Sequence, residues 1–268
     1  PSPTRPVRDR RVLTFGHDGC TFVYEVHGSG PPVLFLNGSG ATIELVRPLV
    51  EILARTLTVA IHDQRGLGRT SIPDGPYSMA QYAEDARAFL DHLGWDSCGV
   101  LGISFGGMVG QELAVTWPHR VRRLVLACTS PGGAGGSSYP LHELAELDDE
   151  RRLARMATIA DRRVVSAPAP GLAVGSGPDL DARQRRGAWW QLQARRNHDV
   201  WDRLPAIGCS TLVMSGLHDG IAPVENGSAI VSRLGRAELR VYDGGHQFFV
   251  QDRQAVPDMI EFLAADTT

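Results

Sequence analysis

Val100-Leu101-Gly102-Ile103-Ser104-Phe105-Gly106-Gly107 is the stretch that decides the reading of this chain. An apolar run ends at Ile103. A helical pattern starts at Phe105 and reaches Trp117, where Pro118 stops it. A strand that turns at once into a helix strains the corner residue and makes its side chain project. Gly102 and Gly106 suit such a corner, because a side chain there would collide with the turn. Ser104 then presents a hydroxyl at a helix N-terminus, where developing negative charge is favoured. Gly-x-Ser-x-Gly between strand and helix is the nucleophile-elbow pattern, so Ser104 is the expected nucleophile. A Gly-rich junction with an incidental Ser is the competing reading.

Upstream, strands and helices alternate. Residues 11–15 and 21–27 read as a hairpin around His17-Asp18-Gly19. Residues 33–36 form a short apolar run between two prolines and Asn37-Gly38-Ser39-Gly40, as a strand buried on both faces does. A helix over about 43–54 and a strand at 57–61 follow, and Ser78 caps a helix that ends near Leu93. Residues 123–127 are the next strand. The alternation predicts an α/β fold, a mainly parallel sheet with helices on both faces.

The rhythm breaks at residues 131–138, a Gly/Ser/Pro run that reads as a loop or hinge. From 141 to 203 the pattern is helical and charged, without a buried strand. Alternation returns with a strand at 211–215, a helix at about 224–234, a strand at 239–242 and a helix at 255–264. One core, residues 1–130 and 204–268, with a helical insertion at 131–203, fits this better than two tandem domains.

A serine hydroxyl needs a base, and the base needs an orienting acid. The order expected of this elbow is Ser, acid, His. Asp219 follows the strand at 211–215, and His246 follows the strand at 239–242. Both lie on loops at strand C-terminal ends, where open α/β sheets place their sites. Asp243 is too near His246 in sequence to be the orienting acid. For an oxyanion hole, the candidate donors are the N–H groups of Phe105 and Ser39; a plain β-turn at 37–40 is the alternative. Asn37 and Gly38, with Trp189 and Trp190 of the insertion, are expected substrate contacts, although packing onto the core is an equal role for each Trp. His198 is expected on a solvated helix face, and His218 in solvent.

The 27 basic residues are all Arg, against 30 acidic ones, for a net charge of −3. Without Lys, Schiff-base chemistry, pyridoxal-phosphate attachment and a phosphate-loop Lys are impossible. The near-neutral balance gives no electrostatic case for nucleic acid or an anionic membrane. Cys20, Cys98, Cys128 and Cys209 are scattered and show no metal-ligand spacing; buried thiols are the expectation. Residues 1–11 carry no apolar leader-like segment. A cytoplasmic protein without metal or cofactor is expected. Its partner is a small-molecule substrate, and a homodimer is left open.

Taken together, the elbow, acid and His, the run His62-Asp63-Gln64-Arg65-Gly66-Leu67-Gly68, and Val121-Arg122-Arg123-Leu124-Val125-Leu126 resemble the α/β-hydrolase superfamily over nearly the whole length outside the insertion. The resemblance implies an eight-stranded, mainly parallel core and a helical cap at about 131–203. Within the superfamily the chain is most similar to the 3-oxoadipate enol-lactonase-like and antibiotic-pathway methylesterase-like branch. Many relatives open the oxyanion loop with His-Gly; here it is Asn37-Gly38, and the Asn37 amide is expected to hydrogen-bond the loop backbone. The implied activity is a bacterial, cofactor-free serine hydrolase acting on an ester or lactone. Two rivals stay open. One is a carbon–carbon bond hydrolase of vinylogous diketones, in which Arg195 or Arg196 binds a substrate carboxylate. The other is a non-hydrolytic cyclase or ligand-binding protein on the same fold.

Overall fold

A computed structural model describes residues 12–164 and 180–265. Residues 1–11 and 165–179, the latter within the helical insertion, lie outside the described residues. Eight strands form one sheet: β1 (Leu13–His17), β2 (Cys20–His27), β3 (Pro32–Leu36), β4 (Thr58–His62), β5 (Cys98–Ile103), β6 (Val121–Ala127), β7 (Ser210–Gly216) and β8 (Ala237–Tyr242). Their order across the sheet is β1-β2-β4-β3-β5-β6-β7-β8. The β1–β2 hairpin joins β4 antiparallel; every other pairing is parallel.

Strand residues alternate between two apolar layers, as the pleat requires. Leu34, Leu36, Val100, Leu124 and Val213 face α2 (Met79–Leu93), α3 (Phe105–Thr116) and α6 (Val224–Arg233). Val33, Phe35, Leu101, Val125 and Leu212 face α1 (Ile43–Leu53), the short α7 (Phe248–Gln251) and α8 (Ala255–Ala264) on the other side. Every residue of β5 is buried, so the strand that carries the elbow sits in the middle of both layers. Local signals agree with this packing. The Ser78 hydroxyl accepts the Gln81 N–H at the start of α2, and Gly94 ends it with φ 68°.

Between β6 and β7 lie α4 (Asp149–Ala160) and α5 (Ala182–Arg196), flanked by 3₁₀ turns at Leu141–Glu146 and Trp201–Ala206. Asp148 caps α4, and Asp181 with Gln184 forms a capping box on α5. The loop at 131–138 is not an open hinge. A Cβ on Gly135 would lie 2.1 Å from the Trp201 ring, and one on Gly132 only 2.0 Å from the His198 carbonyl oxygen. These glycines permit close packing as well as turning. No described helix is long and apolar enough to cross a membrane.

Candidate active site

Ser104 occupies the corner between β5 and α3 with φ 54° and ψ −113°, a conformation that costs strain and aims the side chain away from the sheet. The glycine requirement is visible in distances. A Cβ on Gly106 would sit 1.9 Å from the Leu36 carbonyl oxygen, and one on Gly102 would sit 2.5 Å from that of Gly106.

The loops after β7 and β8 bring their side chains to the same sheet edge. His246 Nε2 lies 3.0 Å from Ser104 Oγ, and His246 Nδ1 lies 2.8 Å from Asp219 Oδ2. The carboxylate accepts, so Nδ1 carries the proton and Nε2 is left to accept from the serine hydroxyl. Asp219 is fully buried, and its other oxygen accepts the N–H groups of Ile221 (2.7 Å) and Ala222 (2.9 Å). Three hydrogen bonds thus hold the carboxylate in one orientation. Asp243 is elsewhere: exposed, and paired with Arg163 at 2.8 Å and His218 at 3.4 Å.

The insertion is stitched to these loops. The last carbonyls of α4, which a helix leaves without internal partners, accept from the loops that carry Asp219 and His246. The Ile159 oxygen accepts from the Gly220 N–H, and the Ala160 oxygen from the His246 N–H. Arg162 N–H in turn donates to the His218 carbonyl, 2.9 Å away.

The loop after β3 lies against Ser104: a Cβ on Gly38 would be 3.6 Å from Ser104 Cβ. Neither the Ser39 N–H nor the Phe105 N–H has a hydrogen-bond partner among the described residues. Asn37 departs from expectation. Its side-chain amide is buried and meets no loop backbone; neither of its polar atoms has a partner. The loop is held instead through main-chain groups. Asn37 O accepts from Gln64 Nε2 at 2.7 Å, and the Gly40 N–H donates to Gln191 Oε1 at 2.8 Å.

Above Ser104 opens a cavity of about 790 Å³. Asn37, Gly38, Ser39 and His246 line it around Ser104, Leu45, Leu49, Leu144, Met156, Leu192 and Phe249 give it an apolar wall, and Arg152, Arg185 and Arg186 also line it. Trp189 is on this wall and 43% exposed. Trp190 is not on it: its ring covers Gly75, where a Cβ would approach to 2.2 Å, and it packs beside Tyr77. Arg195 is also off the wall. It is buried and donates to the Tyr139 carbonyl at 2.8 Å, and burial pushes its guanidinium down to about 10. Arg196 is exposed and off the wall too. His198 is buried, not solvated, and burial pushes its imidazole down to about 4. The residues that sequence reasoning missed are Gln191 and the α4 carbonyls. A glutamine in a polar, Arg-rich helix gives no sign of facing inward, and main-chain groups leave no trace in side-chain patterns.

A family model described as alpha/beta hydrolase fold matches residues 31–162. A poly(3-hydroxyalkanoate) depolymerase of Ectopseudomonas oleovorans is 31% identical over 242 residues, covering 87% of this chain and 84% of the relative. The chain belongs to the α/β-hydrolase family. Two further relatives of this hydrolase also span most of the chain. The 3-oxoadipate enol-lactonase 2 of Acinetobacter baylyi is 27% identical over 86% of this chain and 87% of its own. A 2-hydroxy-6-oxo-2,4-heptadienoate hydrolase of Pseudomonas putida is 27% identical over 96% of both chains. Among solved structures, a hydrolase from Pseudomonas aeruginosa PA01 superposes with a TM-score of 0.78 at 27% identity, covering 96% of this chain and 100% of that one.

Proposed function

We propose that this hydrolase cleaves a carboxylic ester or lactone through nucleophilic catalysis at Ser104. The observation that carries the reading is the unbroken relay Ser104–His246–Asp219, at 3.0 and 2.8 Å, built on a strained elbow. His246 Nε2 takes the hydroxyl proton as Ser104 Oγ attacks the carbonyl carbon. Asp219 fixes the His246 tautomer and stabilises the imidazolium. The N–H groups of Phe105 and Ser39 receive the oxyanion, aided by the N-terminus of α3. The imidazolium then protonates the leaving oxygen, which leaves an acyl-enzyme. Water activated by His246 attacks that ester and releases the acid.

The insertion acts as a cap. Met156 and Ala160 of α4, and Trp189 and Leu192 of α5, close the cavity over the nucleophile. Its apolar wall suits an acyl chain or ring. The depolymerase and the enol-lactonase among the relatives, by their names, lend weight to ester or lactone chemistry. A carbon–carbon hydrolase is the second reading: Arg195 and Arg196 are off the cavity wall, but Arg152, Arg185 and Arg186 line it and offer cations to a substrate carboxylate.

Turnover of p-nitrophenyl hexanoate by wild type and Ser104→Ala tests the reading. The variant should stay folded and lose on the order of 10⁴-fold or more in kcat, because triad members act as a unit. A folded Ser104→Ala with near-wild-type turnover would sink it.

A further inference from the structure

Arg195 is a cation held inside the protein without a carboxylate bonded to it. It belongs to α5 of the insertion and is only 5% exposed. Its Nη1 donates to the Tyr139 carbonyl at 2.8 Å, while Nε and Nη2 are buried and have no partner among the described residues. Burial pushes the guanidinium down to about 10, and the charge that works against this is the Asp219 carboxylate.

A main-chain path joins the two side chains. Tyr139 accepts from Arg195 through its carbonyl and donates through its own N–H to the Ile221 carbonyl, 2.7 Å away. That carbonyl belongs to the peptide unit whose N–H, on Ala222, donates to Asp219 Oδ1 at 2.9 Å. This peptide is trans, so its C=O and N–H point in opposite directions. Tyr139 therefore polarises the same unit that holds the carboxylate. The Ile221 N–H donates to Oδ1 as well, and Oδ2 faces His246 Nδ1 at 2.8 Å.

The other titratable groups around Asp219 and His246 are neutral, paired or in solvent. Directly after β6, the Cys128 thiol is raised well above its ordinary value by burial and by Asp219, so it carries no charge. After α5, burial pushes the His198 imidazole down to about 4. At the end of α4, Asp161 pairs with Arg163, which also meets Asp243, and Asp243 meets His218. Arg162, beside Gly220, is exposed and screened by solvent. Arg195 is then the buried cation that faces the pair.

We propose that Arg195 is a positioning residue for the Asp219–His246 pair: its hydrogen bond steadies the carboxylate through Tyr139, and its charge lowers the affinity of the pair for a proton. This rests on the Ser104 hydrolase reading and adds the group that sets its acid limit. A positive charge beside a proton-binding pair opposes the proton, whichever of the two residues takes it. With Arg195 in place, His246 Nε2 is free to accept from Ser104 at a lower pH.

The second-order rate of Ser104 phosphonylation by a fluorophosphonate, followed from about pH 5 to about pH 9, separates the two roles. Arg195→Met loses the charge and the hydrogen bond. Arg195→Gln loses the charge but keeps a donor for the Tyr139 carbonyl, and Arg195→Lys keeps both. In Arg195→Met and Arg195→Gln the acidic limb should move up by about half a pH unit or more, whereas Arg195→Lys should stay with wild type. The plateau above the limb should fall several-fold in Arg195→Met and less in Arg195→Gln. Circular dichroism and thermal melts establish the fold, and Arg195→Gln against Arg195→Lys carries the comparison if Arg195→Met does not fold. A limb at the same pH in wild type and folded Arg195→Gln would overturn the proposal while leaving Ser104 chemistry standing. So would a limb displaced equally in Arg195→Lys. A wild type that takes no adduct on Ser104 at any pH would contradict the Ser104 reading itself, and this inference with it.

Discussion

Asp219 and Asp243 both follow strand ends, yet only Asp219 touches His246; Asp243 is spent on Arg163 and His218 at the surface. The two carboxylates therefore predict different kinetics. Asp219→Asn should remain folded, favour the wrong imidazole tautomer and lose roughly 10³–10⁴ in kcat. Asp243→Asn should stay within a few-fold of wild type, as expected for the loss of exposed ion pairs. Measuring kcat for both decides it, and a collapse confined to Asp243→Asn would reassign the acid. A second prediction concerns pH and stability. His62 and His198 are buried, and burial pushes each down to about 4, against 6.5 in an unfolded chain. Between these values the unfolded chain binds the protons and the folded one does not. Stability should therefore fall as pH drops from about 6.5 to about 4, by about 1 kcal/mol per pH unit for each His. Urea unfolding at stepped pH checks this, and His62→Leu should flatten the slope. A slope unchanged in that variant would show that His62 does not titrate as described. That Ser104, Asp219 and His246 meet was legible residue by residue because each lies in the turn or loop that follows its own strand. His198 was misread because its burial depends on the 131–138 loop packing over it, a contact far from it in sequence.

At the level of elements, the elbow works because β5, α3 and the end of β3 pass closer than side chains allow. Gly106→Ala would place a methyl 1.9 Å from Leu36 O, against backbone that cannot give way. It should cost about 3 kcal/mol, read by urea unfolding. Gly208→Ala, where nothing lies within 4 Å, is the control and should be near neutral. Equal effects at the two sites would mean that the corner has more room than these distances allow. The elbow glycines were readable because the motif fixes their spacing. The packing of Gly132 and Gly135 was not, since Gly-rich sequence looks the same whether a loop swings freely or is covered. Trp190 was misplaced for a related reason. Adjacent residues on a helix point about a quarter-turn apart, so Trp189 and Trp190 could not both be assumed to face the cavity. The capping of α4 by the Asp219 and His246 loops is a main-chain contact, invisible to any reading of side chains.

For the molecule as a whole, strand order places β5, β7 and β8 so that their following loops converge at one edge, beneath an insertion that supplies much of the cavity wall. The fold class was legible because alternating strand and helix patterns admit few arrangements. The cavity was not, since it exists only once α1, α4 and α5 come together. Its apolar wall predicts chain-length selectivity. From p-nitrophenyl acetate to hexanoate, kcat/KM should rise by about three- to fourfold per methylene, the worth of burying a CH₂. A flat series would mean that the acyl chain does not enter the cavity. The central claim is that Ser104, activated by His246, becomes covalently acylated. It is tested most directly by intact-protein and peptide mass spectrometry after reaction with a fluorophosphonate. Expected is a single adduct on Ser104 that is absent in Ser104→Ala and forms far more slowly in His246→Ala. Ester turnover by a protein that takes no adduct, or takes it on another residue, would contradict it.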